Sequence, residues 1–509
     1  MAYTVLGMLI VLAVLIGIGV LSGRKVQDSG DFLTGGGKAS SFLVCGAIMG
    51  SLVSSQATIG TAQLAFHYGL AAWWFTLGSG IGCLILALGY VRPLRRSGCV
   101  TELQIISREY GAGAGSLSSV LNAVGIFISV LAQVVACTGL ITILLPQIPM
   151  AIVVLLTIAI MCVYVIFGGT WGASIGGAVK LLLLYGAAIL CMAYVLIAAG
   201  GFQGLYDQLV RLLAGTDLGM SQELAGGLNN LETTQDVSQR FFSLVARGAA
   251  KDIGSGISLL LGVLSTQTYA QAVWSAQSDR KARRGALLSA CLIPPIGVAG
   301  ICIGLFMRTH YLTQMEVDVL TSLGANVPDL PVLASTIQVF PSFVLNHLPP
   351  LIAGIILGTL FLTVIGGGAG LSLGMATIML KDIYKRVTNR INSPAKELAV
   401  VRVTIGVILL AAGVIAIAVP ESTINDLGFL SMGLRGTVVF LPLSCALWLK
   451  GRIAPVCILV SIVLAPVAVL VGNWMTLPFD ALFLGMLVSL ACCVAGGGLG
   501  RNAGRRQRI

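Results

Sequence analysis

Apolar runs of about 20 residues, each long enough to cross ~30 Å of hydrocarbon as a helix, recur from one end of this chain to the other. No other feature constrains the fold so strongly, because a segment in lipid must satisfy its backbone hydrogen bonds internally. Composition agrees: of 509 residues, 57% are hydrophobic and 10% charged, and the mean hydropathy is +0.98. A soluble chain of this length needs far more charge to cover its surface. The sequence therefore predicts an all-α polytopic membrane protein. The run 3–22 has the length of a signal peptide, but no basic residue precedes it and Gly23-Arg24-Lys25 follows, so it reads as a retained span.

About 13 transmembrane helices are expected, near 3–22, 41–66, 69–91, 115–145, 149–168, 173–200, 253–276, 285–308, 349–379, 400–420, 426–449, 453–474 and 478–498. With the N-terminus outside, the inner loops hold Arg24, Lys25 and Lys38; Arg92, Arg95, Arg96 and Arg108; and Arg280, Lys281, Arg283 and Arg284. They also hold Lys381, Lys385, Arg386, Arg390 and Lys396; Lys450 and Arg452; and Arg501, Arg505, Arg506 and Arg508. The outer segment 202–252 is mixed, with Asp207, Glu223, Glu232 and Asp236 beside Arg211, Arg240 and Arg247. By the positive-inside rule the orientation is N-out/C-in, and the net charge of +11 is a membrane signature rather than a nucleic-acid one. The whole chain, 1–509, reads as one integral domain, with repeats at 41–200 and 253–449, extra spans at 453–498 and a basic cytoplasmic tail at 499–509. The twelve cysteines, Cys45, Cys83, Cys162, Cys191, Cys492 and Cys493 among them, show no ligand spacing and read as packing residues.

Two stretches are unsuited to plain helix. "GAIMGSLVSSQATIG" (46–60) mixes glycines with Ser51, Ser54, Ser55, Gln56 and Thr58, and "LGVLSTQTYAQ" (261–271) carries Ser265, Thr266, Gln267, Thr268 and Gln271. They lie five spans apart, so an odd repeat length would invert the second half on the first, a 5+5 inverted repeat. Serine and threonine are also ordinary helix-packing residues. Two polar clusters at matching places in inverted halves point instead to a secondary transporter with its site near the midplane.

Five further stretches carry a resemblance: "GRKVQDSGDFLTGGGKAS" (23–40), "IGTAQLAFHYGL" (59–70), "RPLRRSGCVTELQIISREYG" (92–111), "FGGTWGAS" (167–174) and "MATIMLKDIYKR" (375–386). In this order and spacing, across about residues 5–450, the chain resembles the sodium:solute symporter family. The resemblance implies the leucine-transporter fold, alternating access and a small-molecule solute. It also implies a sodium site of backbone carbonyls plus two adjacent hydroxyls. The carbonyl positions fall on Gly50, Val53 and Thr363, and the hydroxyl pair falls on Gly366 and Gly367, which have no side-chain oxygen. A hard cation wants oxygen ligands, so the sodium site reads as degenerate. Leu52 and Gly177 stand where some members place an aspartate, and no acid falls well inside a span; Asp426 and Asp480 sit at outer edges.

Lys180 lies in "SIGGAVKLLLLYG", where many members have glutamine. Two readings stand. Its ammonium replaces the lost cation, making transport proton-coupled or uncoupled, since a desolvated lysine exchanges its proton more readily. Alternatively it snorkels to cytoplasmic water ~10 Å away. Arg435, in "FLSMGLRGTVVF", is too deep to snorkel; it pairs with an anionic substrate or serves a structural partner such as backbone carbonyls. Gln56, Gly60, Val263 and Gln267 occupy positions resembling the family's substrate pocket.

The expected function is a secondary active transporter for a small polar or anionic organic solute, in the inner (plasma) membrane of a bacterium. Expected partners are that solute and the lipid bilayer, with no nucleic acid. No cofactor is expected beyond a coupling ion, Na+ or H+. Alternatives are a solute sensor on the same fold, although no signalling module is expected after "GRRQRI", and an ordinary sodium symporter with a rearranged site. An enzyme is not expected, because His67, His310 and His347 lie at or outside the extracellular edge and form no intramembrane catalytic group.

Overall fold

A computed structural model describes residues 2–23, 37–145, 147–218, 231, 233–385, 394–418, 424–475, 477 and 479–506. Arg24, Lys25, Glu223, Glu232, Arg386, Arg390 and Arg508 of the expected loops and tail lie outside the described residues, as does most of 23–40.

The helices used below are α1 (Ala2–Gly23), α2 (Ser41–Leu52), α3 (Thr61–Tyr68), α4 (Trp74–Ile85), α5 (Glu102–Tyr110), α6 (Ala112–Leu144) and α7 (Met150–Ala199). The second half contributes α8 (Ala249–Val263), α9 (Gln267–Trp274), α10 (Asp279–His310), α11 (Pro350–Ile378), α12 (Pro394–Ala418), α13 (Ile424–Arg435), α14 (Leu441–Trp448), α15 (Pro455–Trp474) and α16 (Leu482–Arg506). Among the described residues, eight helices are long and apolar enough to cross a membrane, and four shorter apolar helices accompany them. Of the broken helices, α2 falls in the second group and α8 and α9 outside both, because each is too short to span alone; α2, with 12 residues, is about 18 Å long. The segment after the first break, by contrast, runs on as the long apolar helix Gln56–Arg96.

Both expected breaks are present, and side chains replace the ladder bonds lost at each. After α2, Val53 leaves helical geometry (φ −80°, ψ 86°) and the chain re-enters through a π-helical turn, Gln56–Gly60. There the Thr58 hydroxyl donates to the Ser54 carbonyl (3.0 Å) and the Thr61 hydroxyl to the Gln56 carbonyl (3.0 Å). Between α8 and α9, Thr266 is extended (φ −110°, ψ 114°) while its hydroxyl donates back to the Gly262 carbonyl (2.5 Å). A backbone interrupted at membrane depth survives only with such substitutes.

One pair of expected spans differs. The segments 149–168 and 173–200 run as a single helix, α7, of 50 residues. Gly168, Gly169 and Gly172 reduce helix propensity but do not force an end, since no proline follows to clash with the preceding turn.

Small residues set the packing. Gly46 of α2 faces Ser174 and Ala178 of α7, and a Cβ added at Gly177 would collide with the Gly46 carbonyl and lie 3.0 Å from the Gly50 Cα. Close backbone approach of this kind is how helices associate without a hydrophobic driving force. Gly7 of α1 meets the α11 backbone at Leu351–Ile355 in the same way. The core therefore forms where α2, α7 and α11 converge around the first break.

Gly177→Ala should lower the melting temperature of the purified protein by several degrees, as expected for overpacking worth about 1–3 kcal/mol. Gly186→Ala, on the same helix but with nothing within 4 Å of the added carbon, should hold or slightly raise it, since alanine is the better helix former.

Candidate functional site

The break in the first half leaves α2 with carbonyls that have no helical partner beyond Leu52. One of them, on Gly50, accepts from the Lys180 ammonium at 2.7 Å. The same nitrogen donates to the Thr363 carbonyl of α11 at 3.1 Å. Lys180 is 2% exposed, so its side chain turns inward to these two oxygens. Gly177, one turn earlier on α7, permits the backbone approach that brings the lysine within reach. The negative end of the α2 dipole faces the ammonium, a favourable placement for a cation. Gly50 and Thr363 are two of the three positions at which the family resemblance implies sodium-site carbonyls; Val53, the third, lies at the break itself and is buried.

The two glycines at the hydroxyl positions are not equivalent. A Cβ at Gly366 would lie 3.8 Å from the Gly50 carbonyl and 3.9 Å from Lys180 Nζ, in ordinary contact. A Cβ at Gly367 would lie 2.5 Å from the Ser54 Cβ and 3.2 Å from Gln133 Oε1. The space for a second hydroxyl is thus filled from the broken helix and from α6.

Gln133 is the hub of a polar network beside this point. Its amide nitrogen donates to Gln56 Oε1 (3.0 Å) and Ser54 Oγ (3.1 Å), and its oxygen accepts from the Ser55 backbone N–H (3.1 Å). Gln56 in turn lies against Gly428 of α13, and Gly60 against Asn425. Gln133 and Asn425 are polar residues that pattern reading missed. Gln133 is a lone amide in an otherwise apolar stretch of α6, which was a signal; Asn425, at a helix start, looks like any turn residue.

The other expected pocket residues are dispersed. Gln267 donates to the Val100 carbonyl (2.9 Å) and accepts from the Glu102 N–H (3.2 Å), tying α9 to the segment before α5. Val263 packs against the bare face of Gly82 on α4. Arg435 is fully buried, and its guanidinium donates to the Thr266 hydroxyl (2.7 Å), Ser129 hydroxyl (2.9 Å), Ser431 hydroxyl (2.8 Å) and Ser431 carbonyl (3.1 Å). It joins α13 to α6 and to the break of the second half.

Contacts close the core on both sides. At one end, Gln63 donates to Thr336 (2.9 Å) and accepts from the Ile424 N–H (3.2 Å). On the opposite side, Thr101 donates to Asp382 (3.0 Å), and Arg95 reaches the carbonyls of Val273 (2.9 Å) and Ala276 (2.8 Å). Glu102 is buried there; burial pushes its carboxyl well above the ordinary carboxylate range, against the opposing pull of Arg435.

A family model described as "Sodium:solute symporter family" matches residues 32–450. The chain belongs to the sodium:solute symporter family. Its relatives include the human high affinity choline transporter 1, 24% identical over 451 residues that cover 85% of this chain and 70% of that protein. Its structural neighbours include a Na+-coupled sialic acid symporter in a substrate-bound outward-open state, with a TM-score of 0.75 at 17% identity, covering 98% of this chain and 97% of the other. Mhp1, a nucleobase-cation-symport-1 family transporter in a closed conformation with bromovinylhydantoin bound, gives a TM-score of 0.57 at 12% identity, covering 94% and 96%. The leucine-transporter fold expected from the sequence is the one observed. This symporter-family member is an integral membrane protein of the transporter type, which takes a small-molecule solute.

Gly366→Ser should fold with a melting temperature close to that of the parent protein, whereas Gly367→Ser should lose several degrees because its Cβ must displace Ser54.

Proposed function

We propose that this protein is a secondary transporter that moves a small polar or anionic organic solute by alternating access, with Lys180 standing where the family binds its coupling sodium. The contact that carries this reading is the Lys180 ammonium on the carbonyls of Gly50 and Thr363. Sodium, as a hard cation, needs a cage of oxygen ligands. Here two hydroxyl positions are glycine, and two carbonyls already hold an ammonium. The donor set does not fit sodium, so no step of the cycle is assigned to that ion.

A fixed positive charge at this position performs the structural part of the ion's work. It draws the C-terminal end of α2, α7 and α11 together, as a bound cation would. If the lysine keeps its proton throughout the cycle, transport is uncoupled. If it gives the proton up when the core opens to one side, the solute is coupled to the proton gradient.

Radiolabelled sodium should not bind the purified protein above background, whereas the double variant Lys180→Ala with Gly366→Ser, which empties the carbonyl pair and adds a hydroxyl, should bind it. Strong sodium binding by the parent protein would overturn the reading in favour of a rearranged sodium site. In proteoliposomes, uptake of a solute identified from a labelled panel should proceed without sodium. A dependence on the proton gradient that survives Lys180→Gln unchanged would rule out the lysine as the coupling group.

A further inference from the structure

The core carries two deeply buried positive charges, and each is held by neutral oxygens. Lys180 rests on two carbonyls, and Arg435 on three hydroxyls and a carbonyl. Among the described residues, Asp426 is 63% exposed at one end of the membrane segments, and Asp382 and Glu102 are buried at the opposite end. Arg435 has the buried Glu102 within electrostatic reach, whereas among the described residues no acid is in such reach of Lys180, whose ammonium is met by two carbonyls alone. Inside a protein such a charge acts over many ångströms.

The two cations flank one polar strip. Gly366 borders Lys180, and the adjacent Gly367 borders Gln133. Gln133 holds Gln56, and Ser129, one turn away on α6, holds Arg435. At the end of this strip, three polar atoms have no hydrogen-bond partner: Gln56 Nε2 and both amide atoms of Asn425. Gln56 is 2% exposed and Asn425 fully buried, so water does not serve them from the surface. Leaving buried donors unpaired is unfavourable. Two glycines lie directly against these amides, Gly60 against Asn425 and Gly428 against Gln56.

We propose that the place between Gln56 and Asn425 takes a small organic anion, a monocarboxylate, with the two amide nitrogens as direct donors and the charges of Lys180 and Arg435 supplying the attraction at longer range. A neutral solute would satisfy the amides but leave the Lys180 charge unopposed. A cationic solute would add to it. The arrangement also bears on coupling, because closure without a solute strands the same three atoms, so an empty carrier closes less readily than a loaded one. This inference rests on the reading of the chain as a carrier with its site beside the first break.

The test is equilibrium binding to the full chain in detergent, read as thermal stabilisation, with probes matched in shape and different in charge: lactate and lactamide, nicotinate and nicotinamide, and choline. At least one carboxylate should raise the melting temperature while its amide and choline do not. Asn425→Asp, which keeps the size but adds a negative charge, should abolish that stabilisation. Asn425→Ser, which keeps a donor, should weaken affinity about tenfold and retain the preference for the anion. Lys180→Gln should also lower anion affinity, at least tenfold, in protein that elutes as a single folded species. Stabilisation by an amide or by choline in place of the anion would overturn the proposal, and so would stabilisation by none of the probes. No gradient is present in this assay, so its failure would leave the sodium-free reading standing, and sodium binding by the parent protein would leave the charge preference readable.

Discussion

A charged nitrogen buried in the middle of a membrane protein must be met by oxygen, and much of this core is arranged to meet the one on Lys180. Desolvating an ammonium without partners is prohibitive. The partners are backbone carbonyls, and the Gly50 carbonyl is available because α2 ends within three residues of it. The break is therefore a requirement of the contact as well as a local irregularity. Gly177 lets α7 approach α2 closely enough, and Gly366 leaves room beside the ammonium. Losing the break or the close approach at Gly177 would strand the charge.

The same rule governs the second buried cation. Arg435 has five N–H groups in a rigid fork, and the structure meets it with hydroxyls from Ser129, Ser431 and Thr266 on three different segments. One of those segments is the break of the second half, so each interrupted helix is pinned by a cation. The two breaks are thereby tied to α6, α7, α11 and α13, which surround them. Closure at the ends of the core rests on modest individual hydrogen bonds, such as those of Gln63, Gln267 and Thr101. Bonds of about 0.5–1.5 kcal/mol each can be exchanged as the core opens to one side and then the other. A transporter needs that combination of a strongly determined centre and replaceable gates.

Much of the fold is legible in residue order. The solvent, the helical class and the two interruptions follow from apolar run lengths and from clusters such as Ser54, Ser55 and Gln56, because these are local properties with a fixed period. The placing of Gly366 and Gly367 where the family resemblance implies a hydroxyl pair rests instead on the helix register set by "KDIYK". The uninterrupted course of α7 was not legible. Its glycines permit a break without demanding one, and α2 and α11 both pack along it. Gln267 illustrates the same limit, since a glutamine beside a break can face a pocket or, as here, fasten a neighbouring loop.

By itself the sequence determined that this chain lives in lipid, that two of its helices are broken by polar residues, and that glycines, which have no side-chain oxygen, stand at 366 and 367. Only the tertiary structure decided where Lys180 puts its charge. A four-carbon stem at that depth reaches cytoplasmic water and the protein centre about equally well, and nothing in its neighbours along the chain separates the two. The choice is made by oxygens 130 and 183 residues away in sequence, which become partners only after α2, α7 and α11 have packed.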